Sequence, residues 1–169
     1  MARQHSLQEF QQDLVRRIAE AAGEAAPTAR LGIQAGDGFW LVRLDEAGEI
    51  FPVPKLTAVP LTQRWFRGLA NVRGNLYSVI DFSLFCGGEP TRESADGRIM
   101  LVGEHFHVST ALLVSKMLGL RNVQQLRADP SPAGHPWASA RYIDADGRIW
   151  RELNIRDLVG RAEFLEAGA

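Results

Sequence analysis

Cysteine is nearly absent from this chain of 169 residues. Cys86 stands alone, which excludes an internal disulfide and a cysteine-based zinc site. Lysine is almost missing too: Lys55 and Lys116 are the only two among 19 basic residues, the other 17 being arginine. Against 20 acidic residues they leave a formal charge of −1, so the chain is not built to coat a polyanion, although charge can still gather locally. No apolar run approaches the ~20 residues of a membrane-spanning helix, and the first 30 residues hold no apolar stretch of the signal-peptide kind. The expectation is a soluble, cytoplasmic protein. Its length allows one domain or two very small ones, and 46% apolar residues suffice for a core without staples.

What is present begins with a helix pattern. Ser6 and Glu9 have the spacing of a capping box. Leu7, Phe10, Leu14 and Ile18 then follow at helical intervals, which predicts an amphipathic helix over 7–22. Residues 23–30, with Pro27, read as a linker. The helix can cover a sheet edge or dock on a partner.

From Leu31 onward the texture is that of strands. Asp-Gly occurs at Asp37-Gly38, Asp96-Gly97 and Asp146-Gly147, and Ala47-Gly48 resembles a further tight turn; Asp-Gly between apolar runs signals a hairpin. Residues 38–42, 76–82, 98–102 and 106–114 are short strand candidates rich in β-branched and aromatic residues. Residues 141–144 and 148–153 flank the last Asp-Gly as a hairpin. No helical crossover is visible between Leu31 and Ile143. The pattern predicts a mainly β fold, barrel or sandwich, with exposed loops over 87–97 and 129–137. A final helix over 155–165 is capped by Asn154, with Asp157 in its first turn.

Catalytic chemistry has no residue set to stand on. His105 and His107 would share a face of a strand, but no third metal ligand accompanies them. Phosphate-binding glycine loops and nucleophile elbows are missing, and Cys86 has no helper, so it reads as a buried, inert thiol. The densest signal is Trp65-Phe66-Arg67-Gly68-Leu69-Ala70-Asn71-Val72-Arg73-Gly74-Asn75. Two glycines bracket an asparagine and one arginine, with Arg67 just before them, the pattern of a turn that presents Asn71 and Arg73 beside an aromatic base. An ordinary turn with a solvated arginine gives the same pattern.

Phe66-x-Gly68-x-x-Asn71-x-Arg73-Gly74, followed by Val79-Ile80-Asp81, closely resembles the signature of CheW-like coupling proteins of bacterial chemotaxis. The likeness extends over about residues 31–159. Upstream it takes in Gly38-Phe39-Trp40-Leu41-Val42, Glu49-Ile50 and Thr57-x-Val59-Pro60. Downstream it takes in 98–102, Leu113-Val114-x-x-Met117-Leu118-Gly119-Leu120 and the 143–153 hairpin. The Ala-Asn-Val-Arg-Gly form and the N-terminal helix are most similar to the PilI-like branch, which serves type IV pilus and twitching chemosensory systems. Two positions depart from the family pattern: Ser78 stands where a proline is usual, and Gly48 where a larger, often polar, residue is common.

The resemblance implies two small five-stranded β-barrels with helices at both ends. Residues 1–30 would form the helix and linker, 31–160 the CheW-like domain of two barrel subdomains, and 161–169 the helix end and tail. It implies a non-catalytic adaptor, without cofactor or metal, joining the cytoplasmic tip of a methyl-accepting chemoreceptor to the regulatory domain of a CheA-like histidine kinase. The membrane would be met only through the receptor array. Receptor binding is expected of Arg73, Asn71, Val72, Ala47, Glu49 and Leu44, with Glu49 pairing Arg73 in the free protein. Phe66, Gly68, Gly74 and Asp81 are expected to form the turn that carries them. Competing readings are a flagellar chemotaxis coupler and a single-strand nucleic-acid-binding barrel, for which Arg64, Trp65, Arg67, Arg73 and Tyr77 would serve.

Overall fold

The computed structural model describes residues 28–168. The helix predicted over 7–22 lies outside the described residues, and β1 begins within the predicted linker. The strands are β1 (Ala29–Ala35), β2 (Gly38–Arg43), β3 (Ala47–Pro52), β4 (Phe66–Val72), β5 (Asn75–Asp81), β6 (Arg98–Val102), β7 (Thr110–Val114), β8 (Lys116–Asn122), β9 (Arg127–Ala128), β10 (Ala138–Ile143) and β11 (Ile149–Leu153). Three short helices accompany them: α1 (Phe82–Phe85), α2 (Ile155–Val159) and α3 (Ala162–Leu165). The strands form two sheets, in the orders β8-β1-β2-β11-β10-β9 and β3-β6-β7-β5-β4. The first has six strands rather than the expected five because the two-residue β9 pairs with β10. In the second, Thr57 beyond β3 exchanges two 2.8 Å backbone hydrogen bonds with Leu69 on β4, which draws its edges together.

Alternation along β6 and β7 explains how the sheets pack. Ile99, Leu101, Ala111 and Leu113 join Ala70, Val72 and Val79 in a core enclosed by the second sheet. The intervening Met100, Val102, Leu112 and Val114 join Leu31, Ile33, Trp40, Val42 and Leu153 in a larger core between the sheets. Both faces of β7 are therefore buried, which is why it reads as a continuous apolar run. Aromatic rings extend the joint: Trp40 meets Phe82 at 5.0 Å, and Phe85 meets Trp137 at 4.9 Å and Phe164 at 5.4 Å. On its other face the first sheet holds Leu41, Trp150 and the nearly buried Arg30–Glu152 pair, 3.3 Å apart.

The turns correct several expectations. The β1–β2 connection is Gly36-Asp37, one residue earlier than read, with Ala35 opposite Gly38 and a φ of 57° at Gly36. Ala47-Gly48 lies inside β3; the turn before it closes through Glu46 N–H to Arg43 O at 3.1 Å. Asp96-Gly97 precedes β6 without linking paired strands, whereas Asp146-Gly147 does join β10 to β11. The strand expected over 106–114 starts only at Thr110. His105 and His107 sit on and after a 3₁₀ turn, Glu104–Phe106, not on a common strand face. The C-terminal helix breaks at Gly160, between α2 and α3. Asn154 caps α2 as expected, accepting from Asp157 N–H at 3.0 Å.

Candidate functional site

The site is built on the β4–β5 hairpin. Val72 pairs with Asn75, so Arg73 and Gly74 are the two loop residues, and both have positive φ, 53° and 85°. That is the sign pattern of a type I′ turn, whose twist matches the flanking strands. Nothing stands within 4 Å of a Cβ at Gly74, so its requirement for glycine is conformational. Asn71 secures the loop by accepting from Gly74 N–H at 2.9 Å. Arg73, by contrast, holds the left-handed region with a full side chain, an arrangement uncommon outside Asn, Asp and Gly.

Glu49 stands across from this tip, within a register shift in β3 between Ala47 and Ile50. The Arg73 Nη1 donates to Glu49 Oε1 at 2.9 Å and lies 2.8 Å from Oε2 in an ion pair. The guanidinium also lies 5.2 Å from the ring centre of Phe51, itself packed on the core of the second sheet. The two charged side chains stay 57% and 53% exposed. The arrangement is a pre-oriented guanidinium, supported by a ring and a carboxylate and open to solvent, suited to bidentate contact with a carboxylate or amide.

The structure brings Arg73, Asn71 and Glu49 together and separates the other expected contacts from them. Val72 is 8% exposed within the second-sheet core, because the pleat turns it inward between outward-facing Asn71 and the loop. Its place is behind the tip, with little surface open to a partner. Leu44 and Ala47 are half-buried against the core between the sheets, on the other side of β3 from Phe51. Leu76 was not among the expected residues. It lies opposite Asn71 on β5 and is 60% exposed; an apolar residue in a strand that pairs a signature asparagine was the available signal.

The remaining signature residues are structural. At Gly68, where φ is 128°, a Cβ would fall 2.3 Å from the Thr57 carbonyl oxygen, so a side chain would break the Thr57–Leu69 contact. Phe66 is half-buried against the core between the sheets. The Asp81 side chain is fully buried. It caps α1 by accepting from Leu84 N–H at 3.3 Å, binds Thr91 N–H at 2.9 Å and Thr91 Oγ1 at 2.8 Å, and pairs Arg67 Nη1 at 3.3 Å. Thr91 is thereby buried in what reads as an exposed loop. Ser78 N–H donates to Ser109 O at 2.9 Å, a bond that the proline usual at this position cannot make. Burial pushes the Cys86 thiol up to about 12, so it is protonated and unreactive at neutral pH.

Two small sheets share a core, and an arginine-tipped hairpin stands on one of them. The chain belongs to the CheW-like domain family, whose model matches residues 30–163. Among curated proteins it is similar to Protein PilI of Pseudomonas aeruginosa, 34% identical over 94 residues, which is 54% of this chain and 51% of that protein. The chain thus spans about half the length of the curated relative it matches. Among solved structures it is similar to the scaffolding protein TtCheW from Thermoanaerobacter tengcongensis, with a TM-score of 0.62 over 75% of this chain and 88% of that one, at 16% identity. That likeness shows the fold.

Proposed function

We propose that this protein is a non-catalytic adaptor that couples the cytoplasmic tip of a methyl-accepting chemoreceptor to the regulatory domain of a CheA-like histidine kinase. Arg73 carries the reading. Its backbone holds a conformation that arginine does not favour, and its side chain is aimed by Glu49 and Phe51 yet left largely in solvent. Strain kept at an exposed, oriented charge is a mark of a binding site. The receptor side of the contact would supply Glu or Gln to the guanidinium, with Asn71 and Leu76 beside it as polar and apolar neighbours. Fixing kinase and receptor in one geometry lets a small receptor movement alter kinase activity. The protein would act in the cytoplasm at receptor arrays, meeting the membrane only through them and using neither nucleic acid nor cofactor.

The similarity to PilI favours a type IV pilus, twitching-motility system over a flagellar one. Co-purification that recovers a pilus-system receptor and kinase supports this; recovery of the flagellar pair redirects it. Arg73→Glu should abolish receptor pull-down while far-UV circular dichroism and melting temperature stay close to wild type. A large loss of stability instead would make Arg73 a structural residue.

A further inference from the structure

The Arg73 guanidinium does not stand alone. Glu49 Oε1 accepts from its Nη1 at 2.9 Å, and Oε2 lies 2.8 Å from the same nitrogen. A partner that reaches the hairpin tip therefore meets a donor and an acceptor side by side, both more than half exposed. The couple is also isolated in charge along its own elements. Arg73 is the one charged residue between 68 and 80, and Glu49 the one charged residue of β3. On the segments beside the start of β3, Arg43 is held by Asp45 through two 3.0 Å bonds, and Arg156 stands over the Phe106 ring at 5.8 Å. Glu46 and Glu104 add negative charge there.

A carboxylate offered to this couple gains Arg73 and meets Glu49. It either stands beside a second carboxylate or displaces it, and both routes take away part of what the guanidinium supplies. A carboxamide has no such conflict. Its carbonyl oxygen accepts from the guanidinium and its NH2 donates to Glu49, because acceptor and donor sit on one planar carbon. The surroundings hold the couple in place. The Phe51 ring supports the guanidinium at 5.2 Å, and positive φ at Arg73 and Gly74 fixes where the side chain leaves the backbone. Exposed Leu76, opposite Asn71, offers an apolar shelf beside the tip for the methylenes of a glutamine.

We propose that the Arg73–Glu49 couple is selective for an amide: the receptor side chain it takes is glutamine or asparagine, and Glu49 is the residue that turns glutamate and aspartate away. The inference rests on the coupling reading above and narrows its partner. Arginine supplies the attraction and Glu49 the repulsive element that specificity needs. Exchange of the amide for an acid on the receptor accordingly weakens binding, and salt relieves the penalty by screening Glu49.

The test titrates a receptor-tip fragment by calorimetry against wild type, Glu49→Gln and Arg73→Glu. Alongside it run forms of the fragment in which each tip glutamine or asparagine is exchanged in turn for its acid, and each acid for its amide. At one tip position, amide to acid should weaken binding to wild type about tenfold and leave binding to Glu49→Gln unchanged or stronger. On wild type the same exchange should weaken binding less at high salt than at low salt, a readout that needs no variant of this chain. A fragment that binds wild type, fails to bind Arg73→Glu and shows no such position overturns the inference and leaves the coupling reading intact. Equal penalties for wild type and Glu49→Gln also overturn it, since Glu49 then only orients the arginine. Wild type that binds no form of the fragment removes the coupling reading and the inference with it.

Discussion

Arg73 is set in a backbone conformation that asparagine adopts more readily, and its ion pair with Glu49 is too exposed to offset much. Left-handed strain costs a non-glycine residue roughly 1–2 kcal/mol, while an exposed pair of this kind contributes about 0.2–1 kcal/mol. Arg73→Asn should therefore leave stability within about 1 kcal/mol of wild type in urea denaturation. Arg73→Val, β-branched in the same conformation, should lose about 1–2 kcal/mol. Equal stabilities for the two variants would sink the idea of backbone strain at the tip. The turn was legible in the sequence because two glycines bracket Asn71 and Arg73, whereas the clasp by which Asn71 accepts from Gly74 N–H came only with the structure. The inward place of Val72 was not legible either: neighbouring Asn71 and Val72 differ only in pleat direction, which depends on register.

Among the elements, α1 and the loop before β6 depend on a single carboxylate. Asp81 accepts from Leu84 and Thr91 backbone N–H groups, from the Thr91 hydroxyl and from Arg67. Asp81→Ala leaves these buried donors unmatched and should cost about 3–5 kcal/mol, with the loss accompanied by faster amide exchange at Leu84 and Thr91. A loss under 1 kcal/mol would mean that water replaces the carboxylate. The sequence signature ended on Asp81 without revealing this role, because Thr91 is ten residues away in a segment whose composition is that of a solvated loop. The hairpin of β10 and β11 was readable from local chemistry alone. The C-terminal helix was readable at its cap but not at Gly160, where one breaker splits an otherwise helical pattern.

In the whole molecule the aromatic joint between the sheets includes a titratable ring. His135 stacks on Trp137 at 5.0 Å and lies 5.5 Å from Trp40. Burial first, and the charge of Arg151 second, push its protonation below the ordinary value of 6.5. The folded state thus favours neutral His135. Its contribution to stability is present above 6.5 and is lost as pH falls from there toward the depressed folded value. His135→Asn should flatten the acid slope of melting temperature below pH 6.5; an unchanged slope would assign it to carboxylates. The mainly β architecture was visible from short strands and turn signals, but the sheet partners were not, since β2 pairs with β11 and β5 with β7 in parallel across long stretches of chain. Sheet membership also has a temporal side. The second sheet is one continuous stretch from β3 to β7, whereas the first joins β1 and β2 to strands from β8 onward. On a ribosome the middle of the chain can therefore become ordered while its opening strands still lack their parallel partner, and Phe39 waits for Trp150. Pulse-labelled amide exchange during refolding should protect β6 and β7 before β2; the reverse order would show that the ends meet first.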